Sequence, residues 1–125
     1  MKKVVLTKKA PKPVGPYSQA MQAGKFLFVS GQLAINPEIG KIATDTIALQ
    51  TRQVMENIKA ILEAADYSLK EIVQVNVYLS SMASFDEFNK EYAKFFEIEP
   101  PARATVGIEL KPGALVEISV VAYKE

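Results

Sequence analysis

An α+β fold, with two helices laid on one face of a mixed sheet, follows from three features of the sequence. Segments such as Ile72–Leu79, Ala102–Leu110 and Leu115–Tyr123 carry apolar side chains at every second residue, the period of a strand. Two others, Asp45–Ala65 and Ser84–Phe96, carry helical spacing. Two helices cannot cover both faces of a sheet of about five or six strands, so one face is left open.

The elements follow in order. Val4-Val5-Leu6-Thr7 reads as a short edge strand, and Pro11, Pro13 and Pro16 with Gly15 fix the next stretch as a loop. Tyr17–Gln22 and Phe26–Ser30 flank Ala23-Gly24-Lys25, the pattern of a hairpin. Gly31 breaks the second of these strands, and Asn36-Pro37-Glu38-Ile39-Gly40 is a further turn. In the first helix Ile47, Val54, Ile58, Ile61, Leu62 and Ala65 build one apolar face, with Thr44 or Asp45 as the cap and Arg52, Glu56, Lys59 and Glu63 toward the polar side. The strand Ile72–Leu79 turns Val73, Val75, Val77 and Leu79 one way. The second helix carries Phe85, Phe88, Tyr92, Phe95 and Phe96, a stripe suited to core packing. The last two strands are joined by Lys111-Pro112-Gly113-Ala114 and read as a hairpin, giving the order β-β-α-β-α-β-β after the opening strand.

At 125 residues and 49% hydrophobic, the chain reads as a single domain spanning residues 1–125. It contains neither cysteine nor histidine. Disulfides, thiolate nucleophiles and zinc sites are thereby excluded. No acidic cluster has the spacing of an oxygen-ligand site, so no metal is expected. A net charge of +1 argues against nucleic acid as a partner. The basic run Lys8-Lys9-Ala10-Pro11-Lys12 reads as a solvated loop. No run approaches the ~18 apolar residues of a membrane span. Lys2 and Lys3 precede only Val4-Val5-Leu6, too short for a signal peptide. A cytoplasmic protein is the expectation.

Arg52 and Arg103 are the only arginines among 15 basic residues. The planar guanidinium grips a carboxylate bidentately, as lysine cannot, so each is worth a question, although many such arginines are ordinary surface residues. Alternation sorts Ala102, Ala104, Val106, Ile108 and Leu110 from Arg103, Thr105, Gly107 and Glu109. In the last strand it sorts Val116, Ile118, Val120 and Ala122 from Glu117, Ser119, Val121 and Tyr123. With the apolar sets under the helices, Arg103, Thr105, Glu117 and Ser119 are expected on the open face, Arg103 and Glu117 as neighbours. Two readings stand: an ordinary surface ion pair, or an anion site with Glu117 for proton or water work. Phe26, Phe28 and Ser30 alternate with Leu27 and Val29, so that strand is apolar on both sides. Association with other copies would cover it, which predicts a homo-oligomer.

Gly15-Pro16-Tyr17-Ser18-Gln19-Ala20, Phe28-Val29-Ser30-Gly31-Gln32, Gln53 with Asn57 and Leu62, Asn76-Val77-Tyr78-Leu79, Phe88-Asn89 with Tyr92 and Phe96, Pro101-Ala102-Arg103-Ala104-Thr105-Val106 and Val116-Glu117-Ile118 together resemble the RidA (reactive intermediate deaminase A) or RutC family, also called the translation-inhibitor family. The resemblance covers essentially the whole chain. It implies a chorismate-mutase-like fold, a homotrimer with pockets between subunits, and cofactor-independent hydrolysis of 2-aminoacrylate and related enamine or imine acids to 2-keto acids and ammonia. It further implies that Arg103 binds the substrate carboxylate, that Glu117 positions or activates water, and that Tyr17, Ser30, Gly31 and Asn89 line the pocket. Thr105 stands where the family often has cysteine, so a covalent thiol step is not available here. Two other classes share the same residues: a small-carboxylate-binding regulatory trimer without turnover, and a ribonuclease or translation inhibitor.

Overall fold

The computed structural model describes residues 1–125. Strands β1 (Lys2–Val5), β2 (Ala20–Ala23) and β3 (Phe26–Gln32) open the chain, and β4 (Ile35–Asn36) and β5 (Lys41–Ile42) form a small separate hairpin. Helix α1 (Ile47–Ala64) follows, then β6 (Ile72–Leu79), helix α2 (Phe85–Tyr92), β7 (Ala102–Gly107) and β8 (Val116–Tyr123). The main sheet has the order β1-β2-β3-β8-β6-β7. Its one parallel pair is β6 with β7. Every other pairing in it is antiparallel.

Both helices lie on one face, as the alternation predicts. Buried and half-buried residues strictly alternate along β8, with Val116, Ile118, Val120 and Ala122 inward. A core of 24 buried residues joins these to Val54, Ile58, Ile61 and Leu62 of α1 and Phe88 and Tyr92 of α2. No helix is long and apolar enough to cross a membrane.

The start of α1 differs from the sequence reading. Thr46, rather than Thr44 or Asp45, is the N-cap, its hydroxyl accepting from the Leu49 N–H at 3.2 Å. Its buried face also carries amides that hydropathy hides: the Asn57 side chain donates to the carbonyls of Leu33 (3.2 Å) and Ile35 (2.9 Å). The second helix is shorter than expected, tightening into a 3₁₀ turn at Ala93–Phe95. Along β6, Val73 is exposed and Ile72 is buried instead, because the register with β8 shifts between Ile72 and Gln74.

The largest correction concerns β7. It forms no hairpin with β8, because β6 stands between them. The α2 crossover returns the chain parallel to β6, on the side away from β8. The register pairs Arg103 with Val75 and Thr105 with Val77, both buried under the helices. Side chains paired across a ladder share a face. Arg103 and Thr105 therefore lie on the helix side, and Ala102, Ala104 and Val106 on the open side. Glu117 pairs with Tyr78, on the open face as expected. Arg103 and Glu117 are on opposite faces of the sheet.

Candidate functional site

The first group of polar residues surrounds Arg103. Phe85, Phe88 and Tyr92 recur at helical spacing along α2 and present their rings to β7. The Arg103 guanidinium carbon lies 4.9 Å from the Tyr92 ring centre, 5.6 Å from that of Phe88 and 5.7 Å from that of Phe85. Cation–π contact with these rings restricts where the guanidinium lies. The Phe88, Tyr92 and Phe96 rings also pack in sequence, with centroids 5.3 and 4.8 Å apart. Arg103 enters no ion pair and stays exposed. The two salt bridges of the chain both end on Glu91, from Arg52 at 3.3 Å and Lys94 at 3.0 Å. Arg52 is thus a clamp between α1 and α2.

Two buried hydroxyls accompany Arg103, those of Thr105 and Tyr92, and neither has a hydrogen-bond partner. Burial pushes the Tyr92 phenol up to about 12, with the Arg103 charge pulling the other way. The hydroxyl is close enough to Arg103 to sense its charge without making a well-formed bond. Tyr92 is a neutral donor at any physiological pH. Asn89, one turn on from Phe85, is half-buried on the helix surface.

The second group lies across the sheet. Tyr17, Ser30, Gly31 and Glu117 line one cleft of about 480 Å³. A bulge builds it. Val29 pairs with Val120 and Gln32 with Ile118, so Ser30 and Gly31 together oppose the single residue Ser119. The Ser30 hydroxyl donates to the Ser18 carbonyl at 2.6 Å. At Gly31 a Cβ would stand 2.2 Å from the Glu117 Oε2, so the carboxylate occupies space that only glycine leaves. The Tyr17 hydroxyl accepts from the Val14 N–H at 3.3 Å.

Sequence reasoning missed two buried glutamines that hold the cleft walls. The Gln19 amide accepts from the Thr7 N–H at 2.7 Å and donates to the carbonyls of Thr7 (3.0 Å), Ala10 (3.3 Å) and Pro11 (2.9 Å). Gln50 accepts from the Leu115 N–H at 2.8 Å and donates to Thr44 (2.8 Å) and Gly113 (2.9 Å). A polar residue on the apolar side of a helix, as Gln50 is, was the available signal. Lys12, read as part of a solvated loop, also lines the cleft, as does Lys111. Of the predicted site residues, Tyr17, Ser30, Gly31 and Glu117 come together in this cleft. Arg103 and Thr105 share the helix side, Asn89 is on the α2 surface, and none of these three lines the cleft.

Comparison with known proteins gives a consistent result. Residues 7–124 match the family model described as endoribonuclease L-PSP. A RutC family protein of Pyrococcus horikoshii is 52% identical over 126 residues, covering 100% of both chains. Reactive Intermediate Deaminase A, chloroplastic, of Arabidopsis thaliana is 39% identical over 122 residues, 97% of this chain and 65% of that protein. The crystal structure of E. coli TdcF with bound serine superposes with a TM-score of 0.93 at 31% identity, covering 98% of this chain and 99% of that one.

Proposed function

The chain belongs to the endoribonuclease L-PSP family, the group that holds RutC family proteins and reactive intermediate deaminase A, and from that membership we propose that it is a 2-iminobutanoate/2-iminopropanoate deaminase. It hydrolyses small enamine and imine acids of the 2-aminoacrylate type to 2-keto acids and ammonia, without a cofactor. Arg103 carries the reading. Its guanidinium rests on three aromatic rings and is neutralised by no carboxylate of its own chain. A fork supported by aromatic rings and paired to no carboxylate suits the two oxygens of a substrate carboxylate.

The chemistry asks for little more. An enamine first tautomerises to its imine, whose carbon is electrophilic. Water adds there, the C–O bond forms and the C=N electron pair moves to nitrogen. Both water protons pass in turn from oxygen to nitrogen, the first giving the carbinolamine and the second making the amine a leaving group, and ammonia leaves as the C–N bond breaks and the carbonyl forms. Glu117 holds the water and carries the proton. Tyr17, Ser30 and Gly31 frame the reacting carbon, while Asn89 and Thr105 assist Arg103 around the carboxylate. Orientation by Arg103 turns the encounter with the held water into an effectively unimolecular step.

Arg103 and Glu117 lie on opposite faces of one sheet, so one chain cannot bring both to one substrate. We therefore place the working site at the seam between copies of a homotrimer, Arg103 from one and Glu117 from the next. The apolar open face supports this: Phe26, Phe28 and Val106 are each more than two-fifths exposed in the single chain, at 43%, 47% and 47%. The serine bound by TdcF, a small amino acid with the same α-carboxylate, agrees with the substrate class.

The test is keto-acid formation from 2-aminoacrylate generated in situ. Wild type accelerates it and Arg103→Ala abolishes the acceleration. An Arg103→Ala protein as active as wild type refutes the assignment. Binding of 2-oxobutanoate without turnover would favour a regulatory carboxylate-binding trimer. RNA cleavage that survives stringent purification and is lost in Arg103→Ala would favour the ribonuclease reading.

A further inference from the structure

In the single chain the cleft around Glu117 is more cationic than a monocarboxylic substrate needs. Its volume is about 480 Å³, within the range of about 300–1,000 Å³ that accommodates drug-sized ligands. Lys12 and Lys111 line it together with Glu117. Neither lysine makes a salt bridge, and neither does Glu117. The ionisable lining is therefore two cations against one anion, with no internal neutralisation.

Both lysines stand on backbone that is anchored from the core. Lys12 lies between Pro11 and Pro13, and the Gln19 amide, 1% exposed, holds the carbonyls of Ala10 and Pro11 just before it. Proline fixes φ on either side. Lys111 begins the turn that runs through Pro112 and Gly113 (φ +85°), closed by the Ala114 N–H donating to the Lys111 carbonyl at 3.0 Å. The Gln50 amide, 0% exposed, holds the Gly113 carbonyl and the Leu115 N–H of that turn. Two separate loops are thus each pinned by a buried glutamine, and each contributes one lysine without an ion pair to the lining of the same cleft. Ammonium groups whose Cα positions are fixed lose less freedom on meeting an anion than those on a loose loop.

We propose that Lys12 and Lys111 form a second anion subsite, and that the preferred substrates are imino or enamine acids bearing a second carboxylate on the side chain. The inference rests on the deaminase reading, in which Arg103 of a neighbouring copy already holds the carboxylate next to the imine carbon. The lysines are then left for a carboxylate further along the substrate. The same hydrolysis applies, and the side-chain carboxylate takes no part in bond making. The reaction class that supplies such substrates is the two-electron oxidation of acidic amino acids at the α-amine, with an oxidised cofactor or dioxygen as the electron acceptor.

The experiment compares 2-iminoglutarate with 2-iminobutanoate, both formed in situ by an amino-acid oxidase, in wild type and in Lys12→Met/Lys111→Met. Calorimetry with 2-oxoglutarate and 2-oxobutanoate runs beside it and needs no turnover. Two solvent-accessible ion pairs predict a kcat/KM ratio of about tenfold in favour of the dicarboxylic imine. The ratio falls to near one in the double variant, and the binding preference falls with it. A wild-type ratio near one, or a ratio that the double variant leaves unchanged, overturns the subsite even where both imines are hydrolysed. Should neither imine be hydrolysed while 2-oxoglutarate still binds more tightly than 2-oxobutanoate in a lysine-dependent way, the deaminase reading falls and the anion subsite stands. Equal binding of the two keto acids overturns it.

Discussion

Replacing Gly31 with alanine separates the position of the Glu117 carboxylate from its chemistry. The added Cβ would sit 2.2 Å from Oε2, 3.0 Å from Cδ and 3.3 Å from Cγ of Glu117. Ordinary contact begins at 3.4 Å, so the oxygen must withdraw by about 1.2 Å, a misplacement of the size that costs about 100-fold in rate. The obstacle is the free end of a flexible side chain, so the fold accommodates it. Gly31 is not among the residues with positive φ, and alanine there gains about 0.4–1 kcal/mol from a less flexible unfolded chain. A displaced rotamer costs about 0.5–1.5 kcal/mol. The two nearly cancel, and Tm stays within about 4 °C of wild type. Steady-state keto-acid formation should therefore show kcat down about 100-fold with KM changed far less. Adding Glu117→Gln to Gly31→Ala should bring little further loss, because the two act on one group. A Gly31→Ala protein with wild-type kcat refutes the reasoning, as does a loss of activity that merely follows unfolding.

Three further predictions use the same geometry. Mixed Arg103→Ala and Glu117→Gln proteins, after subunit exchange, should recover about a quarter of wild-type activity, the chance that a seam of a cyclic trimer joins one intact half from each; no recovery would put both halves in one chain. Arg103→Lys keeps the charge but loses the fork, and should lower kcat/KM by about 100-fold, since a charge-assisted hydrogen bond contributes about 1.5–3 kcal/mol; equal activity would show that a point charge suffices. Burial alone would raise the Glu91 pKa, but hydrogen bonds and charges from Lys94 and Arg52 outweigh it and hold it below the usual 4.5. A carboxyl with a depressed folded-state pKa stabilises above its unfolded pKa, and that contribution is lost as pH falls through the folded value. Glu91→Gln should accordingly destabilise at pH 7 and converge with wild type in acid; a Tm difference independent of pH would contradict this.

What the sequence disclosed and what it hid divide along physical lines. The bounds of β6 and the core face of α1 were legible because long apolar periods admit one reading. The separation of Arg103 from Glu117 was not. Ala102, Ala104 and Val106 look like an inward set, yet they are the outward one, because the outer surface of this sheet is itself apolar. Arg103 is inward because its stem and guanidinium lie on aromatic rings from α2, a contact that polarity scales do not register. The short turn at Lys111–Ala114 suggested a hairpin, but the β6–α2–β7 crossover binds β7 to the far side of β6. In the cleft, Tyr17, Ser30 and Gly31 were found through resemblance, whereas alternation had already put Glu117 on the open face; Gly31 read as a strand break, where the strand in fact bulges and continues to Gln32. The cap fell on Thr46 and not on Thr44 or Asp45, because all three adjacent residues can cap and only the backbone geometry chooses among them.

The buried amides of Gln19 and Gln50 also bear on how the cleft moves. The Thr7 and Leu115 N–H groups each end on one of them, at 2.7 and 2.8 Å. Lifting either loop alone strands a buried amide, at about 1–3 kcal/mol for each group left unpaired. The rim accordingly has no swing independent of the layer beneath it. Its amide protons should exchange with solvent at rates nearer those of β8 than of a surface turn. The width of the opening is thereby set by the packed layer and not by the loops themselves.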